Sequence, residues 1–212
     1  FKNTEGTPEN IRKFHPNIIV SSTGSAPLLP PIAGLKDRID NENHNIYSIL
    51  GMISHINDFP KDLEGKKVVV VGGGAVGLDV VEFFADRNAD ISIVEMMDQI
   101  GRDLDPVSKN DTKTMMKKHN VHQLTKTALL EVKDSSFLVK GDGEPYELPF
   151  EYGFVCLGMR AQGQLYQSLA EEFSSEDVEI MNIGDSQRAR RIIDGTQEGR
   201  NILTILEQRG YL

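Results

Sequence analysis

The chain is short of cysteine, short of positive charge and without a long apolar run. One cysteine, Cys156, stands among 212 residues. Disulfide scaffolds, multi-cysteine zinc sites, iron–sulfur clusters and CxxC redox pairs are therefore excluded within this chain. No cysteine framework supports secretion, so a reducing cytoplasm is the expected compartment. Lys and Arg number 23 against 32 Asp and Glu, giving a net charge of -9. That balance disfavours nucleic-acid backbones and anionic membrane surfaces as partners. The longest apolar stretch, residues 68–85, is broken by glycines, Asp79 and Glu82, and is too polar to span a membrane. The chain starts at Phe1 without Met or a signal-peptide pattern, so it reads as a fragment, a processed chain or a trimmed piece.

What is present is an ordinary globular composition, 39% hydrophobic and 26% charged. A chain of this length buries roughly 70% of its unfolded surface. Thr7-Pro8-Glu9 supplies a cap, an N1 proline and an early acid for a helix within residues 1–14. Residues 17–20 are a β-branched strand signal, ending in a turn of small residues at 21–27. Residues 36–46 are polar and loop-like, and 47–56 have helical spacing. Val68-Val69-Val70-Val71 is a continuous apolar run, the pattern of a strand covered on both faces. A helix follows it to about Asn88, then a strand at 91–95 and a helix at 105–119. Residues 126–132, 136–140 and 146–149 read as an antiparallel meander turning at Gly141-Asp142-Gly143. Residues 154–157 are a buried strand, 180–183 a last short strand, 171–179 an acidic surface lead-in, and 192–208 a closing helix. The fold class is therefore α/β, with a parallel sheet and a three-stranded antiparallel meander.

Strand, glycine turn, helix and strand over residues 68–95 make one βαβ unit. Its turn, Gly72-Gly73-Gly74-Ala75-Val76-Gly77, contains G-x-G-x-x-G in the context that gives the motif meaning. The first Gly permits the turn. The second lets a pyrophosphate approach the backbone, and the third lets helix and strand pack closely. The phosphates would sit on free N–H groups at the positive end of the helix dipole. Glu95 ends the next strand at the expected distance of about 20 residues, placed to accept hydrogen bonds from adenosine ribose hydroxyls. It would repel a 2′-phosphate, and Met96-Met97-Asp98 supply no adjacent arginine, so the site reads as one for NAD rather than NADP.

Four segments in order resemble the C-terminal part of two-dinucleotide flavoprotein reductases. The likeness is greatest to NADH:flavin oxidoreductases of the 2-enoate reductase and 2,4-dienoyl-CoA reductase type. Residues 18–27, with Thr23 and Gly24, are similar to the segment leaving the FAD domain, with Ser22 where the family usually has Ala. Residues 72–95 match the NAD(P)H fingerprint. Residues 154–160, including Gly158, resemble the return segment, with Ala161 where Pro is usual. Ile183-Gly184-Asp185 resembles the late Gly-Asp motif, whose Asp contacts the FAD ribityl chain. The resemblance implies a Rossmann-like NAD-binding domain at 47–160, flanked by partial FAD-binding segments at 1–46 and 161–212. It implies NADH and FAD as cofactors, with FMN and an iron–sulfur cluster in an N-terminal barrel outside this chain. That barrel and the rest of the FAD domain would be its partners in a longer protein. Electrons would pass from NADH to FAD and onward to an activated C=C bond. The alternative is an NAD-binding regulatory or interaction module without hydride transfer.

No catalytic side chain and no metal ligand set emerges. Cys156, in an apolar strand, reads as a buried small hydrophobe. His119 and His122 are three apart, but no other ligands cluster near them in the sequence. Asp79, one turn into the glycine-led helix, either approaches the nicotinamide end or solvates the helix start. Arg188, Arg190 and Arg191 either meet FAD phosphates or a neighbouring domain, or start a solvated helix. Met96 and Met97 flank the adenine or cover a loop. None of Tyr47, Tyr146, Tyr152, Tyr166 and Tyr211 has a Lys four residues on, which removes the dyad of short-chain dehydrogenases.

Overall fold

The first helix starts where the sequence places its cap. In the computed structural model, which describes residues 2–211, the Asn10 N–H donates to Thr7 Oγ1 at 3.2 Å. Pro8 opens α1 (Pro8–Arg12). Phe1, the first residue of the stretch 1–14 in which that helix is expected, and Leu212 lie outside the described residues. β1 (Ile18–Ser21) and β2 (Ser25–Pro27) follow, with the Thr23–Gly24 turn between them. Next come α2 (Leu35–Arg38), β3 (Ile46–Tyr47) and α3 (Ile49–Ser54). β4 (Lys67–Val71), α4 (Ala75–Ala85) and β5 (Asp90–Val94) form the βαβ unit. α5 (Pro106–Lys118) is capped by Asp105, whose Oδ1 accepts the N–H groups of Val107 and Ser108. β6 (His122–Leu124), β7 (Ala128–Val132), β8 (Ser136–Lys140), β9 (Tyr146–Pro149) and β10 (Tyr152–Val155) complete the central stretch. The chain ends with β11 (Met159–Ala161), α6 (Gln164–Glu172), β12 (Glu179–Asn182), a 3-10 turn at Gly184–Ser186 and α7 (Ile192–Gln208).

The chain divides into two compact units. One is Pro27–Gly158, and the other is Phe1–Ala26 with Met159–Leu212. In the first, five parallel strands are ordered β3-β10-β4-β5-β6. The valine run shows why the sheet is buried on both sides. Val68 and Val70 join a core with Val80, Phe84, Phe59 and Met116, on the helix face. Val69 and Val71 join a core with Leu35, Val132, Phe137 and Phe150, on the meander face. β7, β8 and β9 form that meander, antiparallel throughout. Gly153 in β10 is small because Phe137 and Phe150 press on it: a Cβ would lie 2.7 Å from each ring.

Residues 27–46 pack with this sheet, so the unit starts at Pro27 rather than at Tyr47. The stretch 36–46 is not all loop: it contains part of α2 and the start of β3. Leu35 just before that polar stretch and Ile39 and Ile46 within it are buried anchors, and their burial outweighs the surrounding polarity.

The second unit pairs β1 with β12 in parallel, Ile18 opposite Glu179 through Ser21 opposite Asn182. β11 pairs with β2. Leu169 and Phe173 pack on Ile19. Their helix, α6, replaces part of the acidic lead-in: Glu172 and Glu176 lie at and beyond its end and bind Arg12. No helix among the described residues is long and apolar enough to cross a membrane.

Candidate functional site

The expected site residues fall into two groups, one in each unit. In Pro27–Gly158, β4 delivers the chain to Gly72, whose φ of +110° only glycine adopts readily. A Cβ on Gly72 would collide with the Cys156 carbonyl oxygen, and one on Gly77 with the Gly72 carbonyl oxygen. Gly74 differs: a Cβ there would meet nothing within 4 Å. Two of the glycines are thus required by packing, while the third faces open space. Gly74 is the N-cap of α4, and no side chain caps the helix. The first N–H groups of a helix have no partner within it, and the positive end of the dipole lies behind them.

Glu95 follows β5 and turns its carboxylate back on the glycine turn. Its Oε2 accepts the Gly73 N–H at 2.7 Å, and its Oε1 accepts the Met97 N–H at 2.7 Å. The glycine turn and Glu95 border a cavity of about 590 Å³. Leu28, Ile32, Leu129 and Leu157 form apolar walls, and Gly158 closes one side. Ala75, Val76 and Met96 also line it. A second space of about 310 Å³ shares Gly74 and Glu95 with the first and adds Met97, Gln99 and Arg102. The two methionines after Glu95 therefore face different spaces.

The apolar walls, Gln99 and Arg102 are absent from the sequence reading. The place of Gln99 and Arg102 depends on a long-range tie: the Gly101 N–H donates to the Gly73 carbonyl at 2.7 Å, folding residues 97–104 back over the glycine turn. The left-handed Gly101 (φ +66°) is the one local signal of that return.

Cys156 is buried beside Gly72, and desolvation, helped by the Asp79 charge, pushes its thiol up to about 12. It is a packing residue rather than a nucleophile. Asp79 lines another space, between α4 and α5, with Glu82 and Asp111; burial raises its carboxyl above the usual range. His122 lies 3.3 Å from Asp90, and no cluster of three or more metal-ligating side chains occurs among the described residues.

In the other unit, Asp185 Oδ2 accepts the Ser25 hydroxyl at 3.1 Å, and its Oδ1 accepts the Arg190 N–H at 3.1 Å. Thr23 Oγ1 donates to the Gln162 carbonyl. Gly24 (φ +76°) and Gly184 (φ +67°) are left-handed, and a Cβ on either would meet nothing within 4 Å. Glu198 Oε2 accepts the Gly184 N–H at 2.7 Å and Oε1 meets Arg190, so both lower its carboxyl pKa. Arg191 is the N-cap of α7, and the Asp194 carboxylate accepts its backbone N–H at 3.1 Å. The Ser21 hydroxyl is buried without a partner among the described residues.

An uncapped helix start, a glycine with open space above it and a carboxylate at the next strand end fit a dinucleotide. In the second unit, two open left-handed glycines, an anchored Asp185 and an unpartnered buried hydroxyl fit part of a flavin nucleotide. The sequence has no second G-x-G-x-x-G for that unit. An iron–sulfur cluster does not fit, since the one cysteine is buried.

Fold and site define an α/β protein of the dinucleotide-binding oxidoreductase class. The chain belongs to the pyridine nucleotide-disulphide oxidoreductase family, whose sequence model matches residues 2–181. Among curated proteins it is similar to a metal reductase of Desulforamulus reducens, 26% identical over 93% of this chain and 32% of that protein. It is also similar to an NADH oxidase of Thermoanaerobacter brockii, 26% identical over 90% of this chain and 28% of that protein. The chain thus spans about a third of the length of these relatives. Among solved structures, a 2-naphthoyl-CoA reductase in complex with 2-naphthoyl-CoA shares the fold. Its TM-score is 0.76 at 22% identity, over 93% of this chain and 28% of that one. Despite the family's title, a single cysteine leaves no disulphide within this chain.

Proposed function

We propose that the chain is the NADH-binding part of a flavin-dependent oxidoreductase, with Pro27–Gly158 holding the dinucleotide. The observation that carries this reading is the uncapped start of α4 under Gly74, with the Glu95 carboxylate beside it. NADH, when bound, supplies a hydride to FAD in the longer protein. The residues of this chain bind and orient. Amide N–H groups at the start of α4 meet the pyrophosphate. Glu95 takes the adenosine ribose hydroxyls and favours NADH over NADPH. Leu28, Ile32, Leu129 and Leu157 exclude water from the ring-bearing part of the cavity.

In this reading Thr23, Gly24, Gly184 and Asp185 contribute to an FAD site completed by residues outside this sequence. The domain assignment and the reduction of an activated C=C bond rest on the order of the four motif segments. FMN and an iron–sulfur cluster would lie in the remainder of the longer protein. Separate calorimetric titrations of the chain with NADH and FAD test the proposal. NADH is expected to bind the tighter, and tighter binding of FAD would overturn it. A dye-reduction assay of the longer gene product with NADH tests hydride transfer; NADH binding without dye reduction would favour a regulatory module.

A further inference from the structure

Residue 73 occupies a variable position of the G-x-G-x-x-G pattern, where the motif demands no glycine. The structure nevertheless uses all of it. Its N–H donates to Glu95 Oε2 at 2.7 Å, and its carbonyl accepts the Gly101 N–H at 2.7 Å. A Cβ there would lie 3.0 Å from Glu95 Oε2, 3.1 Å from Glu95 Cβ and 3.1 Å from Ile100 Cγ1. That is tighter than side chains tolerate without movement of the carboxylate or of Ile100. The other Glu95 oxygen accepts the Met97 N–H, also at 2.7 Å. One carboxylate therefore ties the glycine turn to the segment after β5, and Gly101 ties the same segment back to residue 73.

We infer that Glu95 is a positioning residue as well as a ribose contact, and that Gly73 is glycine to make room for it. The carboxylate holds the N–H of residue 73 and the N–H of residue 97 in fixed relation. This fixes the floor of the larger cavity and the rim of the smaller one, which bears Gln99 and Arg102. The two duties are compatible. An ionised carboxylate offers about four lone-pair sites, so two remain for ribose hydroxyls after both backbone bonds are made. Charge-assisted bonds from backbone N–H to carboxylate are also among the stronger local ties. The inference rests on the dinucleotide reading and deepens it: the acid after β5 shapes the phosphate site, in addition to reading the sugar.

The test separates these duties with a ligand that lacks one of them. Dissociation constants are measured by calorimetry for NADH and for its analogue lacking both adenosine ribose hydroxyls. The proteins are the wild-type chain, Glu95→Ala and Gly73→Ala. A pure ribose contact predicts that Glu95→Ala binds the dideoxy analogue as the wild type does. The positioning role predicts that Glu95→Ala weakens the analogue by about tenfold or more, since two charge-assisted bonds are lost. Gly73→Ala should weaken it similarly, although it removes no group that touches the ligand. Unchanged affinity of both variants for the analogue would overturn the inference and leave Glu95 a ribose residue. Should either variant fail to fold, amide hydrogen exchange in the wild-type chain decides. Slow exchange at Gly73 and Met97 supports the tie, and exchange at the free-peptide rate overturns it. A wild-type chain binding neither ligand would overturn the dinucleotide reading itself, a result distinct from binding that variants leave unaltered.

Discussion

Gly77 and Gly72 are in backbone contact: no side chain fits at residue 77 without striking the Gly72 carbonyl oxygen. Gly74, midway between them, meets nothing. The same substitution should therefore have unequal effects on stability. Gly77→Ala should destabilise by about 1–3 kcal/mol through overpacking. That lowers the melting temperature by about 2–4 °C for each kcal/mol in a chain of this size. Gly74→Ala should leave the melting temperature nearly unchanged and weaken NADH binding, because its methyl group occupies the space a pyrophosphate would approach. Thermal unfolding and calorimetry on both variants check the contrast.

Cys156 should resist alkylation in the folded chain. Its thiol titrates at about 12, so at pH 8 roughly one molecule in ten thousand carries the thiolate. Burial slows reagent access further. Mass spectrometry after iodoacetamide treatment should show negligible labelling at pH 8 and complete labelling in denaturant. Fast native labelling would contradict the packing role assigned to this residue.

Glu198 links stability to pH. Its folded carboxyl pKa is lowered, first by the Gly184 N–H and then by Arg190. A depressed carboxyl contributes stability above its unfolded pKa and loses it as pH falls through the lower folded value. Glu198→Gln should therefore lower the melting temperature at pH 7 and make the acid side of the stability profile shallower. Melting curves at intervals from pH 7 to pH 3 read both effects. An unchanged acid limb would remove Glu198 from the linkage.

Arg102 supplies a cation in the space that Glu95 also lines. On the proposed dinucleotide reading, the two side chains would pull in opposite directions on a 2′-phosphate. Arg102→Ala should weaken NADPH more than NADH, by about 10-fold for a lost charged hydrogen bond. Glu95→Gln should narrow the preference for NADH. Parallel titrations of both nucleotides check the sign, and equal losses for NADH and NADPH would place Arg102 away from the 2′ position.

The parts of this molecule legible in sequence are those whose signal is local. The Val68–Val71 run specifies a doubly covered strand, because each valine must be buried on one face or the other. Thr7 and Asp105 declare their helices through short-range caps. The helix Gln164–Glu172 escapes notice because its apolar residues Leu165 and Leu169, with Phe173 at its C-cap, run into an acidic stretch that reads as surface. The strand His122–Leu124 is short and largely polar, held by pairing with β5 rather than by its own pattern. At the site, Gly72, Gly74, Gly77 and Glu95 follow a fixed spacing and can be read directly. Leu28 reaches the larger cavity, and Arg102 the smaller space, only through tertiary contacts that no linear period encodes.

The Leu28 N–H donates to the Gly158 carbonyl at 2.9 Å, so Pro27–Gly158 begins and ends at one place. A segment with touching ends resembles a cassette. It can be grafted into a surface loop of an unrelated host with little added loop-closure entropy, or circularised by joining those ends through a short peptide. On the proposed reading, nucleotide recognition would be portable: it would belong to a length of polypeptide that can be moved without stretching whatever receives it.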